Sequence, residues 1–247
     1  MAEPTHHKVV LATAWQIFVL GMLIGFTGIA RSEPLIFKAS ASGHQTLDQG
    51  EGGGNPFASS LIEILQQGEV RLADLPEKLR VLTVKESGGY QTPDVPDVAA
   101  PFDWRLVPRS SSEKRIALIL VVSNYERAGA ISLPGAAYDA QRVGAALSKA
   151  GFETEIALDL DLQGMREKLK SFEAASSRYD VATIYTTGHG VESNGVVYLV
   201  PRDFPLSQGE KALSSSALPL PEIAKAVHAK TVNLVFYGAC RDNPLAE

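Results

Sequence analysis

The 247-residue chain contains one cysteine, Cys240, which excludes an intrachain disulfide framework. Positive charge is also scarce: the formal net charge is −5 and no long basic run occurs, so the charge pattern does not favour a nucleic-acid partner. The histidines at 6, 7 and 44 lack the spacing of metal ligands, and the glycine cluster at 50–54 lacks the strand and capped helix of a phosphate loop. The sequence therefore predicts neither a metal site nor a cofactor.

Charged residues are absent from 9–30, an apolar run bracketed by Lys8 and Arg31. As a helix, at ~1.5 Å per residue, this run spans ~33 Å, which is enough to cross the hydrocarbon core of a bilayer. Its length favours an uncleaved single-pass anchor over residues 1–31, with the rest of the chain outside the cytoplasm. The alternative is secretion after cleavage of a signal peptide, because the small residues Gly28 and Ala30 fit a processing site.

Residues 32–113 carry no identifiable chemistry. The stretch 31–55 is rich in glycine, serine and polar residues, and its composition predicts a flexible tether. Short helical patterns follow at 60–65 and 72–82, and prolines punctuate 88–108. We expect this region to be a linker or pro-region with short helical elements.

Strands and helices alternate from Arg115 onwards, which defines a third region at 114–247. The near-continuous apolar run at 116–122 is typical of a strand buried on both faces, and further strands are predicted at 152–158, 181–185 and 232–236. Helical periodicity separates them, and a short hairpin strand is expected at 195–200. This alternation predicts an α/β fold in which helices cover both faces of a mostly parallel sheet.

Two motifs follow two of these strands: TGHG at 187–190 and YGACRDNP at 237–244. A free thiol is mostly protonated at neutral pH, so a nucleophilic cysteine needs a nearby imidazole to take its proton. Ligands bind outside the carboxyl ends of parallel strands, and we therefore expect Cys240 and His189 to face one cleft as nucleophile and base. The backbone N–H groups of Gly190 and Cys240 are the predicted oxyanion donors.

These motifs, together with YDA at 138–140 and YLVP at 198–201, resemble the large-subunit portion of a caspase-like peptidase of clan CD, of the metacaspase or bacterial orthocaspase type. The resemblance covers roughly half of the chain. It implies a three-layer sandwich, His189 and Cys240 as the catalytic dyad, and hydrolysis of peptide bonds in peptide or protein substrates. It also implies that Asp139 faces a basic substrate side chain, whereas the helical pattern alone favours Asp139 as a helix-capping residue.

The sequence departs from the pattern of that family at two places. Gly238 stands where an aspartate usually precedes the cysteine, which removes one carboxylate from the expected pocket. The small-subunit portion, which supplies further strands and pocket walls, does not follow 237–244, so we expect an incomplete pocket or a second chain that completes it. Two alternatives to an endopeptidase follow: a non-catalytic caspase-fold module that binds peptides or assembles with partners, and a cysteine hydrolase acting on small amides.

Overall fold

The computed structural model describes residues 1, 33–50, 53–98, 104–107 and 112–246. The apolar segment predicted as a membrane helix, 9–30, lies outside these residues. Within the described part of the chain, no helix combines the length and apolar character needed to span a bilayer. Arg31–Glu247 form one compact unit.

The described residues form eight strands and six helices, joined by short 3₁₀ turns. In chain order these are β1 (Leu35–Lys38), α1 (Pro56–Gln67), α2 (Leu75–Glu86), β2 (Arg115–Val121), α3 (Pro134–Lys149), β3 (Phe152–Leu158), α4 (Leu162–Ser176), β4 (Val181–Thr187), β5 (Gly190–Ser193), β6 (Val196–Leu199), α5 (Leu213–Ser216), β7 (Leu218–Pro219), α6 (Leu220–Lys225) and β8 (Val232–Tyr237). The 3₁₀ turns are at Leu72–Asp74, Glu126–Ala128 and Leu206–Ala212.

The central sheet has five strands in the order β1-β8-β4-β2-β3, and every neighbouring pair is parallel. All residues of β2, β4 and β8 are buried, as their continuous apolar runs predict for strands covered on both faces. The predicted α/β architecture with a mostly parallel sheet is confirmed.

Side chains that alternate along the strands feed two separate cores. On β2, Ile119 and Val121 join a core with α1, α2 and α3 on one face of the sheet. On the same strand, Leu118 and Leu120 join a second core with α4 and α6 on the other face. Successive residues of a strand point to opposite faces, so the two cores make the molecule a three-layer sandwich.

The segment before the predicted catalytic region is part of this same fold. Strand β1 pairs with β8, the strand that leads to Cys240, and places Lys38 opposite Tyr237. Helix α1 buries Phe57, Leu61 and Ile64 in the first core. The flexible tether predicted for this part of the chain is therefore wrong where the structure describes it, and the assignment of 32–113 as a linker or pro-region stays a prediction. The composition of the segment did not predict this order, because polar and glycine-rich stretches also form ordered loops when the structure around them binds their backbone.

A smaller antiparallel sheet, in the order β5-β6-β7, extends beyond the main one. Strands β5 and β6 form the predicted hairpin, whose turn uses left-handed backbone at Asn194 and Gly195. Because β5 begins at Gly190, this hairpin fixes the residue that follows His189.

Candidate active site

His189 and Cys240 both line a cavity of about 570 Å³. His189 follows β4 and Cys240 follows β8, and these strands are parallel neighbours in the sheet. Their carboxyl ends meet at one edge of the sheet, which is the edge where parallel sheets bind ligands. Both residues are half-buried, so a substrate can reach them.

His189 is held by two groups from the loop that follows β2. Its Nε2 lies 2.7 Å from the carbonyl oxygen of Ile131. A carbonyl oxygen only accepts hydrogen bonds, so Nε2 carries the proton and donates, which leaves Nδ1 as the basic nitrogen. The Tyr125 ring lies 4.4 Å from the imidazole, centroid to centroid, and the Tyr125 hydroxyl accepts a 2.8 Å hydrogen bond from the His189 amide.

The two glycines that flank His189 are required by close packing. A β-carbon on Gly190 would lie 2.2 Å from the Cys240 carbonyl oxygen and 2.3 Å from the Tyr237 hydroxyl oxygen. A β-carbon on Gly188 would lie 2.6 Å from the Tyr125 hydroxyl oxygen. Only glycine lets the chains that carry the imidazole and the thiol approach this closely.

Thr46, from the loop after β1, contacts the Cys240 sulfur directly. The Thr46 amide donates to Sγ at 3.3 Å, and the Thr46 hydroxyl oxygen lies 3.4 Å from Sγ. No sequence motif indicated this contact, because the two residues lie 194 positions apart.

One buried arginine ties the 40–46 loop to the cysteine loop. Arg241, 5% exposed, pairs with Glu192 at 2.8 Å and with Asp94 at 2.7 Å. Its guanidinium also donates to the Ser40 carbonyl oxygen at 3.0 Å. Arg241 thus fixes the loop that carries Thr46 against the loop that carries Cys240.

Asp139 is fully buried on α3 and lines the same cavity. Its carboxylate accepts from the Asn55 amide at 2.8 Å and pairs with Arg142 at 3.1 Å. Burial raises the pKa of Asp139 to about 7, and the nearby Asp48 carboxylate adds to this shift, whereas the Asn55 amide and Arg142 oppose it. The helix-capping role suggested by the sequence pattern is wrong, because α3 begins five residues earlier, at Pro134.

The cap of α3 comes instead from Asp48, in the segment predicted as a tether. Its carboxylate accepts from the Gly135 amide at 2.9 Å and from the Ala136 amide at 3.0 Å. A carboxylate satisfies the free N–H groups of a helix N-terminus and is stabilised by the helix dipole. Asp48 also lines the cavity, so two acidic residues meet there from distant parts of the chain.

Gly238 packs tightly where the related pattern carries an aspartate. A β-carbon there would lie 3.1 Å from the Tyr185 hydroxyl oxygen and 3.2 Å from the Thr187 β-carbon. Both neighbours are buried in β4. The second acidic residue of the cavity is therefore Asp48 rather than a residue beside the cysteine.

Helical layers on both faces of a parallel sheet, with a thiol and an imidazole at the ends of adjacent strands, define an α/β protein of the caspase-like class. Residues 114–247, more than half of the chain, match the family model of the caspase domain, and the chain belongs to that family. A search of curated proteins finds no match. The matched region starts after 33–98, although that segment supplies Thr46, Asp48 and Asn55 to the cavity.

Proposed function

We propose that this chain is a cysteine endopeptidase in which Cys240 is the nucleophile and His189 the general base. The observation that carries the proposal is that both side chains line one cavity while the Ile131 carbonyl holds the His189 ring through Nε2. This arrangement leaves Nδ1 available to take the thiol proton. The caspase-domain family consists of cysteine peptidases, which is the chemistry that this pair supports.

In the proposed reaction, His189 Nδ1 accepts the proton from Cys240, and the thiolate Sγ attacks the carbonyl carbon of the scissile peptide bond. The tetrahedral intermediate collapses when His189 returns the proton to the leaving amine, and a thioester to Sγ remains. Water, deprotonated by His189, then hydrolyses the thioester, which releases the carboxylate product and restores the thiol.

The developing oxyanion needs backbone donors. In the described part of the chain, the Cys240 amide donates to no other group, so it is available to a substrate. The Gly190 amide is the second candidate, because close packing of Gly190 on the Cys240 carbonyl brings both amides to the same part of the cleft.

We further propose a preference for arginine or lysine before the cleaved bond, as in metacaspase-type relatives. Asp139 and Asp48 give the cavity its acidic wall. Asp48 uses its carboxylate oxygens to cap α3, and Asp139 shares its charge with Arg142. The net attraction for a basic side chain is therefore weaker than that of two unpaired carboxylates.

The alternative is a caspase-fold module that binds peptides without cleaving them. Its main support in the sequence is the expectation of an incomplete pocket. The wall that Thr46, Asp48 and Asn55 give the cavity would serve both functions, and the thiol of Cys240 and the imidazole of His189 on the same cavity favour the endopeptidase.

Purified protein and a peptide library provide the test. Cys240→Ala and His189→Ala should each abolish cleavage with little change in melting temperature, and the double variant should be no worse than either single variant, because the pair acts as a unit. Ser215→Ala, at a surface hydroxyl bonded only locally in the described structure, is a control that should retain full activity. Peptide binding without cleavage by the parent protein would establish the module instead. Cleavage after aspartate, with no preference for arginine or lysine, would exclude the metacaspase type.

A further inference from the structure

The amide and the hydroxyl of Thr46 both contact the sulfur of Cys240, and the hydroxyl can donate or accept. The backbone N–H of Thr46 lies 3.3 Å from Sγ, and its hydroxyl oxygen lies 3.4 Å from Sγ. For the thiol proton, Thr46 offers two acceptors, its hydroxyl oxygen at 3.4 Å and its carbonyl oxygen at 3.9 Å. The amide can only donate, so the shortest of these contacts favours the anionic form of the sulfur over the protonated form.

The Thr46 hydroxyl can serve both forms of the sulfur. It lies 3.5 Å from the Gly238 carbonyl oxygen, to which it can donate while its own oxygen accepts from the protonated thiol. When the proton leaves, rotation of the hydroxyl turns its hydrogen towards Sγ. Hydrogen bonds to the charged form of a group stabilise that form, and the thiolate is the reactive form of cysteine.

The position of Thr46 is also well fixed. The adjacent amide of Leu47 donates to the Gln91 side chain at 2.9 Å, and Gln91 is fully buried. On the other side, the Gln45 side chain donates to Asp242 at 2.7 Å. Donors held in place before the reaction stabilise charge without the cost of reorienting them.

We propose that Thr46 is a third catalytic residue, which stabilises the Cys240 thiolate through its amide and its hydroxyl. The inference deepens the proposed peptidase function and rests on it for its biological meaning. Its chemical content concerns the thiolate alone, so thiol reactivity tests it separately from peptide cleavage.

Cys240 is the only cysteine, so alkylation of the full-length protein by iodoacetamide reports on this sulfur alone. We expect Thr46→Val, which removes the hydroxyl at nearly constant shape, to slow alkylation at pH 6.5 by about threefold to tenfold. The reason is that one of the hydrogen-bond donors to the thiolate is lost. The limiting rate at high pH should stay within about twofold of the parent, since the thiolate is then fully formed without help.

Two further variants separate the hydroxyl from general effects of substitution. Thr46→Ser keeps the hydroxyl and should retain the parent profile within about twofold. Thr183→Val makes the same chemical change at a buried hydroxyl in β4 with no hydrogen-bond partner in the described structure, and it should leave alkylation unchanged. Thermal melting checks the folding of each variant, and Thr46→Ala replaces Thr46→Val if the valine does not fit.

Three results would overturn the inference: a Thr46→Val profile identical to the parent, a serine variant as slow as the valine variant, or faster alkylation at every pH. The last would mean that Thr46 covers the sulfur rather than activating it. A shifted alkylation profile in a protein that cleaves no peptide would support the role of Thr46 and reject the peptidase.

Discussion

Tyr125 supports the imidazole although it carries no chemistry of its own. The side chain is fully buried, and its hydroxyl accepts from the His189 amide and donates to the Val200 carbonyl oxygen at 2.9 Å. Its ring packs against the imidazole at an interplanar angle of 55°. The combination fixes both the backbone and the ring plane of His189, so we regard Tyr125 as a positioning residue.

Tyr125→Phe keeps the ring and removes the hydroxyl, which leaves the His189 N–H and the Val200 carbonyl unpaired. We expect a loss of about 1–3 kcal/mol in the free energy of unfolding, as for other buried groups that lose their partner. Peptide kcat/KM should fall by about tenfold or more at unchanged KM, because the imidazole is no longer held in place. Tyr179→Phe, at a surface hydroxyl bonded to Glu153, is the control and should keep full activity. Unchanged kcat for Tyr125→Phe would reject the positioning role.

We expect Asp139 to make the proposed preference for basic substrates depend on pH. Its pKa is raised by burial from 3.8 to about 7, so the carboxyl is neutral below that pH and charged above it. The ratio of kcat/KM for an arginine substrate to kcat/KM for a neutral analogue should therefore rise as pH increases through about 7.

The raised pKa of Asp139 also makes the folded state progressively less stable as pH rises from about 4 towards 7, because the unfolded chain releases the proton first. Asp139→Asn should flatten the specificity ratio, and a ratio that falls with pH in the parent would contradict the assignment.

The 40–46 loop, which follows β1, and the cysteine loop, which follows β8, are held together by ion pairs. Arg241 reaches from the cysteine loop to Asp94 and Glu192, and the backbone of the two loops is joined by the Arg241 amide to the His44 carbonyl at 2.9 Å. Removing one partner of a buried pair leaves an uncompensated charge, which is more costly than losing an exposed pair. The order of the 40–46 loop, and with it the Thr46 contact, thus depends on Arg241.

Arg241→Met should lower the free energy of unfolding by about 1–3 kcal/mol, because the half-buried Glu192 loses its ion pair and keeps only the hydrogen bond from the Ser42 hydroxyl. Hydrogen exchange of the 40–46 amides should accelerate more than exchange in α4, on the far side of the sheet. Arg166→Met breaks an exposed pair with Glu222 and should cost less than about 1 kcal/mol. Equal costs for the two variants would show that the Arg241 pairs do not hold the loops together.

The molecule as a whole depends on its first third for both fold and site. Strand β1 covers one edge of β8, and α1 and α2 close the first core. Gln45, Thr46, Asp48 and Asn55 line the cavity. The region that matches the caspase domain, 114–247, therefore lacks one wall of its own cleft. For the apolar run at 9–30 we propose a single-pass membrane anchor, with the folded part of the chain outside the cytoplasm.

Two truncations distinguish these parts. Deleting residues 1–31 should release the protein from membranes and leave the melting temperature within a few degrees, since β1 begins later, at Leu35. Deleting residues 1–55 removes β1, Thr46 and Asp48, and it should abolish cooperative melting and peptide cleavage. Loss of the full-length protein from carbonate-washed membranes would reject the anchor. Cooperative melting of the 56–247 fragment would reject the role assigned to the first third.

Local patterns in the sequence were enough to predict a parallel sheet, its flanking helices and the placement of Cys240 and His189 at one cleft. Continuous apolar runs give strands buried on both faces, and two short motifs fall at the ends of such strands, so residues near one another in the chain carry enough information. Contacts between distant segments were decided only by tertiary structure. The pairing of β1 with β8, the donors of Thr46 on Sγ and the cap of Asp48 on α3 join residues far apart in the chain. A polar, glycine-rich segment reads as a flexible linker until the partners that satisfy its backbone are known, and those partners are chosen by packing rather than by local propensity.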